Sequence, residues 1–288
     1  MPIKSNAIAQ NNLSSNGRAS LGWLLSKDGL SSTLPPKAKI EVWYQPIVST
    51  KTWHVVGFEA LARVVYRGLV YPPGVAFKGL SSDNTKYLFF HVLSHIIRDY
   101  RFLQHPIGIN VEPDVLVLSD VIEQLQGVPG EIRTNIFIEL IETPIRNRIV
   151  VEAAMRVLAL SGYRFSVDDF GSMGAGLHST FMPDVSHVKF DGGLTFEPYT
   201  SRHTRLLSGI STVFRRETLH TVLEQVETIA QVIRFKDHFD AFQGYFFSPP
   251  RKVEDLTAGR ALTEGYATFV ADEIAKFADS HSDRINDM

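Results

Sequence analysis

Asp168 and Asp169 stand side by side at the end of a strand-like run, Phe165-Ser166-Val167, and Phe170-Gly171 follows them. Adjacent residues on a strand point to opposite faces, so consecutive carboxylates can serve one site only where the strand is ending. An α/β barrel keeps its chemistry there, at the C-terminal ends of its strands. Alone, an Asp-Asp before glycine reads as an ordinary turn. Other strand-like runs, however, end in the same way. Glu59 ends Val55-Val56-Gly57-Phe58, and Asn110 ends Ile107-Gly108-Ile109. Glu139 lies within Phe137–Leu140, and Lys189 and Asp191 close Val188–Asp191. Glu224 follows Val222-Leu223, and Gln243 follows Ala241-Phe242. A polar group inside a strand of Val, Ile and Phe is expensive to bury without a partner. A shared hard cation accounts for the whole set, because Mg²⁺ and Mn²⁺ take carboxylate and amide oxygens.

Taken singly, each residue has a plainer reading. Glu59 pairs with Arg63 one helical turn on, Asn110 caps a helix, Lys189 snorkels to the surface and Gln243 sits in a turn. Their recurrence at successive strand ends is what those readings leave unexplained. The 10 histidines are scattered, and none recurs at a strand end with ligand-like spacing. There is no H-E-x-x-H and no G-x-S-x-G.

The elements that must position these groups alternate. Ile40–Tyr44 is strand-like and stops at Pro46, and Val55–Glu59 is the next strand. Lys86–Phe102 carries Leu88, Phe89, Val92, Leu93, Ile96, Ile97 and Tyr100 at helical spacing. Glu112-Pro113 opens a helix that Gly127 ends, and Pro144 starts another that Gly162 stops. Asn135–Ile141, Tyr163–Val167, Ser186–Phe190, Thr218–Leu223 and Phe239–Phe246 read as strands. Helical patterns fall at Thr204–Arg216, Glu227–Phe235 and Leu262–Phe277. The alternation predicts a parallel sheet wrapped by helices, and the number of strands fits a (β/α)8 barrel. Residues 1–36 form a disordered or partly helical lead-in, with Leu21–Leu30 as its one helix candidate, and residues 37–288 form the barrel domain with a C-terminal helix.

The 288 residues are 44% hydrophobic with a net charge of -2. That balance argues against direct binding to nucleic-acid polymers or acidic membranes. The absence of cysteine excludes disulfides, thiolate zinc sites and cysteine nucleophiles. No apolar run reaches the ~20 residues of a membrane helix, and the first residues lack the apolar centre of a signal peptide. A cytoplasmic location is expected.

These residues also resemble a known family. Glu59-Ala60-Leu61, with Tyr44-Gln45-Pro46-Ile47-Val48 before it and Arg63 after it, is similar to the signature of the EAL domain, the bacterial cyclic di-GMP-specific phosphodiesterases. The match continues in order through Asn110, Glu139-Leu140-Ile141-Glu142, Asp168–Gly171, Lys189–Asp191, Glu224–Thr228 and Gln243–Tyr245. The resemblance implies a TIM-type barrel whose first strand is antiparallel. It implies hydrolysis of one phosphodiester of cyclic di-GMP to linear pGpG with two Mg²⁺ or Mn²⁺ ions. By the same resemblance Glu59, Asn110, Glu139 and Asp168 hold one metal. Asp168 bridges to a second, held with Asp169 and, directly or through water, Glu224. Lys189 positions the attacking water, and Glu227 anchors the loop after Asp169. Arg63 contacts a substrate phosphate, and Asp191 and Gln243 line the mouth. A homodimer that binds cyclic di-GMP is expected, with expression, dimerisation or a regulatory protein supplying the signal input.

The chain departs from the family pattern at two places. Ser172-Met173-Gly174-Ala175-Gly176 replaces the usual Thr-Gly-Tyr after the Asp pair, and Leu223 and Gln225 replace small residues beside Glu224. These changes leave a second reading beside the enzyme: a catalytically weak module that binds cyclic di-GMP or a protein partner. A histidine-dependent barrel hydrolase such as a glycerophosphodiesterase is the third, and no histidine is placed for it.

Overall fold

The computed structural model describes residues 39–71, 73–77, 80–141, 145–172, 184–195, 201–259 and 265–285. The lead-in, Glu142, Pro144 and the variant segment at Met173–Gly176 lie outside them. Among the described residues there are nine strands: β1 (Lys39–Ser49), β2 (Val55–Tyr66), β3 (Leu69–Tyr71), β4 (Ile107–Val111), β5 (Ile136–Leu140), β6 (Arg164–Phe170), β7 (Val185–Phe190), β8 (His220–Leu223) and β9 (Ala241–Gln243). They form one sheet in the order β1-β9-β8-β7-β6-β5-β4-β2-β3, and β1 also pairs with β2, so every strand except β3 belongs to a closed barrel. β1 runs antiparallel to both neighbours, and β2 and β4 through β9 run parallel to one another. The barrel with its antiparallel first strand is as expected. A right-handed crossover needs a helix between parallel strands, whereas β1 and β2 need only a hairpin.

The described helices are α1 (Pro73–Ala76), α2 (Ser82–Leu103), α3 (Pro113–Leu116), α4 (Ser119–Gln126), α5 (Gly130–Arg133), α6 (Arg148–Leu160), α7 (Ser201–Arg216), α8 (Ile229–Phe235), α9 (Val253–Ala258) and α10 (Ala267–Ile285). Local chemistry sets their ends. Ser81 caps α2 by accepting from Asn84 N, and Gln104 stops it in a left-handed conformation. Phe89, Val92, Leu93 and Ile96 form the stripe that α2 buries. Thr228 and Gln231 form a capping box at α8. Gln231 also donates to Thr195 Oγ1 at 2.9 Å, which ties α8 to the turn that follows β7.

Several boundaries differ from the sequence reading. β1 does not stop at Pro46 but continues to Ser49, with Pro46 paired to Phe58. Proline lacks a ladder donor, and pairing with β9 begins one residue later, at Ile47. β2 runs on through Glu59, Leu61 and Arg63, so the Glu59–Arg63 spacing belongs to a strand and not to a helical turn. The helix expected over Glu112–Gly127 is broken at Val117-Leu118 into α3 and α4. The C-terminal helix starts later than expected, at Ala267, and runs to Ile285.

The main core lies between the strands and the helices that cover them. Under the strands that carry the charged groups it is aromatic. The ring of Phe190 lies 4.9 Å from that of Phe170, 5.0 Å from that of Phe239 and 5.8 Å from that of Phe214. Phe190 is fully buried between Lys189 and Asp191, so its packing fixes the end of β7. Replacing Phe190 by alanine is expected to cost ~3–5 kcal/mol of unfolding free energy, as for other buried aromatic truncations. Urea unfolding of the wild-type and variant chains measures it, and a loss within experimental error would contradict this role.

Candidate active site

Alternation along each strand turns the strand-end groups into the barrel mouth. The Nζ of Lys189, on β7, lies 3.0 Å from Glu59 on β2, 3.0 Å from Glu139 on β5, 2.9 Å from Asp168 on β6 and 2.7 Å from Glu224, just after β8. All five side chains are buried. Amides brace the cluster from both sides: Asn110 Nδ2 donates to Glu59 Oε1 at 2.6 Å, and Gln243 Nε2 donates to Glu59 Oε2 at 2.6 Å. Gln243 is itself in reach of Gln45, whose amide donates to the Ser248 carbonyl.

One ammonium faces four carboxylates, so full ionisation leaves an excess of three negative charges. The titration of the groups reflects this. Burial opposes the Lys189 charge, but Asp168, Glu139, Glu224 and Glu59 together hold its pKa well above the lysine range. Burial would raise Glu59, yet Lys189 and the two amides outweigh it and lower its pKa. Burial pushes Glu139 up to about 8 and also raises Asp168 and Glu224, with Lys189 opposing it. Asp169 is pushed up to about 6 by burial and then by its neighbour Asp168.

The adjacent Asp pair works through a backbone distortion. β6 continues through both residues to Phe170, where the sequence reading ends the strand at Val167. Asp169 takes a left-handed φ of 52°, and the register with β7 slips between Val167 and Phe170. Asp168 is thus buried and Asp169 exposed, yet carboxylate oxygens of Asp168, Asp169 and Glu224 lie within 4.8 Å of one another. Glu59, Glu139 and Asp168 make a second such group. The Asn110 side-chain oxygen is buried and has no hydrogen-bond partner among the described residues. An all-oxygen donor set, an orphaned amide oxygen and surplus negative charge together fit a hard divalent cation.

The remaining expected residues are not among the carboxylates around Lys189. Arg63 is half-buried beside a cavity of about 620 Å³ that Asn110 also lines, and its guanidinium donates to the Ala62 carbonyl. Asp191 accepts from Gly193 N and from the Gln225 amide. Gln243, expected to line the mouth, is buried one step behind it against Glu59. The Glu227 side chain is exposed, and the segment it would anchor lies outside the described residues. Gln225 holds a left-handed φ of 51°, a conformation that favours glycine.

The EAL domain family model matches residues 30–250. The chain belongs to the EAL-domain family. It is 26% identical over 228 residues to the probable cyclic di-GMP phosphodiesterase PdeN of Escherichia coli (strain K12), a match over 75% of this chain and 44% of that protein. The chain therefore spans less than half the length of that curated relative. Among solved structures, an EAL domain protein from Listeria monocytogenes EGD-e superposes with a TM-score of 0.68 at 24% identity, covering 76% of this chain and 91% of that one. A standalone EAL protein from Vibrio cholerae O395 in its c-di-GMP bound form gives 0.65 at 21% identity, covering 75% and 94%. In this EAL barrel, one positioning residue escaped the sequence reading. A Cβ on Gly108 would run into the Glu139 carboxylate, so a side chain here would push that carboxylate aside. The signal was a glycine inside the β-branched run Ile107–Val111, which marks close approach by another group.

Gly108→Ala is therefore expected to displace Glu139 and weaken Mn²⁺ binding by ~10-fold or more, the range seen when groups supporting a metal ligand are changed. Mn²⁺ titration followed by electron paramagnetic resonance, with circular dichroism as the fold control, tests it. Unchanged Mn²⁺ affinity in a folded variant would sink the assignment.

Proposed function

We propose that this EAL domain hydrolyses one phosphodiester of cyclic di-GMP to linear pGpG at the barrel mouth. The observation that carries the reading is the convergence of Glu59, Glu139, Asp168 and Glu224, each from a different strand, on Lys189. The family membership and the likeness to PdeN support the substrate. Glu59, Asn110, Glu139 and Asp168 would hold one Mg²⁺ or Mn²⁺, and Asp168, Asp169 and Glu224 a second. Such a pair supplies a water of lowered pKa and neutralises phosphate charge.

The chain's own residues do the rest. Lys189 keeps its proton and offers it as a hydrogen-bond donor to the water and to charge developing on the phosphate. Arg63 meets a non-reacting phosphate, from the wall of a cavity with room for a base beside it. Asp191 lines the mouth, and Gln243 reaches it through Glu59. Glu227 steadies the segment that follows Asp169. Binding as a dimer is part of the proposal. Leu206, Ile210 and Val213 form an exposed apolar stripe on α7 suited to a second copy, and light scattering should then give twice the chain mass. A monomer at micromolar concentration would remove the dimer from the account.

A second reading rests on Gln225. Its left-handed backbone beside Glu224 supports a weak enzyme that binds cyclic di-GMP well and turns it over slowly. One assay separates the two. Incubation with cyclic di-GMP and Mn²⁺ should yield pGpG on chromatography, and Glu59→Ala should lower the rate by ~100-fold or more while the barrel stays folded. Tight binding of cyclic di-GMP without pGpG favours the binder. Turnover that ignores a chelator, or a Glu59→Ala chain of normal rate, would overturn the metal reading.

A further inference from the structure

The opposite end of the barrel holds a second cavity, of about 300 Å³. It is bounded by residues at the N-terminal ends of the parallel strands and at the end of β1, so it opens away from the mouth. A TIM barrel normally fills this space with layers of bulky side chains. Here several interior positions are small: Gly57, Gly108, Ser166 and Ala241 all line the cavity. Its ceiling is Glu139 and Lys189, which are already engaged with each other.

Three features specify an occupant. The wall is partly aromatic: Phe137 lies edge-on to His187 with ring centres 4.3 Å apart, and both line the cavity. One polar group inside is unsatisfied. Ser166 is 2% exposed, and its Oγ has no hydrogen-bond partner among the described residues. The rim is cationic. Arg164 and Lys51 line it, both are exposed, and neither forms an ion pair among the described residues, although the Arg164 guanidinium lies over the Phe137 ring, 5.6 Å from its centre. The acid at the rim, Asp240, is already paired with Arg215 at 3.2 Å. A chamber with an aromatic wall, an unsatisfied Ser166 hydroxyl inside and two cations at its entrance suits a ligand with a flat apolar body and one negative charge.

We propose that the N-terminal end of this barrel is a second binding site, for an aromatic monoanion. The ring lies against Phe137 and His187, a polar substituent meets Ser166, and the acid group stays at the rim with Arg164 and Lys51. The proposal stands apart from cyclic di-GMP hydrolysis, because binding is read with neither metal nor nucleotide present.

The probe is 2-naphthoate, titrated calorimetrically into the full chain, with the neutral 2-naphthalenemethanol as control. Saturable binding at one site is expected. Ala241→Phe fills the chamber and should weaken both compounds by at least about tenfold. Arg164→Ala combined with Lys51→Ala lies on the exposed rim and should weaken naphthoate by about fivefold while sparing the alcohol. Absence of saturable binding means that the chamber holds only water and overturns the proposal. Naphthoate affinity that survives both the filling change and the rim change, in chains with native circular dichroism, overturns it as well.

Discussion

The Lys189 ammonium is the charge on which the site depends. Removing it from water costs several kcal/mol, and burying the surrounding carboxylates costs more. Lys189 is the shared partner of all four carboxylates and offsets only part of their charge. The partners come from β2, β5, β6 and the residue that follows β8, so the cluster depends on strands spread around most of the barrel. The amides of Asn110 and Gln243 then fix the orientation of Glu59, the carboxylate with most partners. Buried charge is poor evidence for stability but good evidence for a requirement, and here the requirement is to gather negative charge where more positive charge can be bound.

Much of this was legible in the chain. Inward-facing positions on a strand recur with period two, so an acid or amide at the end of a β-branched run declares itself without knowledge of the fold. Glu59, Asn110, Glu139, Asp168, Lys189 and Glu224 were all visible in that way, and the structure brings them together. What was illegible depends on contacts between distant segments. The left-handed backbone at Asp169 is set by the slip of β6 against β7. Pro46 sits inside β1 because the pairing with β9 starts beyond it. Gly108 matters only because Glu139 of the next strand reaches over it. The link from Gln231 to Thr195 joins residues whose proximity the barrel alone creates.

The two ends of the barrel divide its chemistry. At the C-terminal ends the interior is charged and densely hydrogen-bonded. Two residues further in, Gly57, Gly108, Ser166 and Ala241 stand below Glu59, Asn110, Asp168 and Gln243, and the interior loosens into the lower chamber. Lys189 and Glu139 belong to both regions, forming the floor of one and the ceiling of the other. The helices contribute rigidity from outside, chiefly through the aromatic packing of Phe170, Phe190, Phe214 and Phe239 behind β6 and β7.

The barrel closes at a seam between its first and last strands. Ile47, Val48 and Ser49 pair with Gln243, Phe242 and Ala241, which lie at the far end of the barrel sequence. Long loops are costly to close before their contacts reward it, so pairings of this separation slow folding. The bond from Gln243 to Glu59 crosses the same seam. On a ribosome, the first two strands emerge early and must wait, with one edge of β1 open, until β9 has been synthesised. The acidic centre can therefore be braced by Gln243 only once β9 has been made, although a chain cut short before Ala241 already carries nearly every site residue.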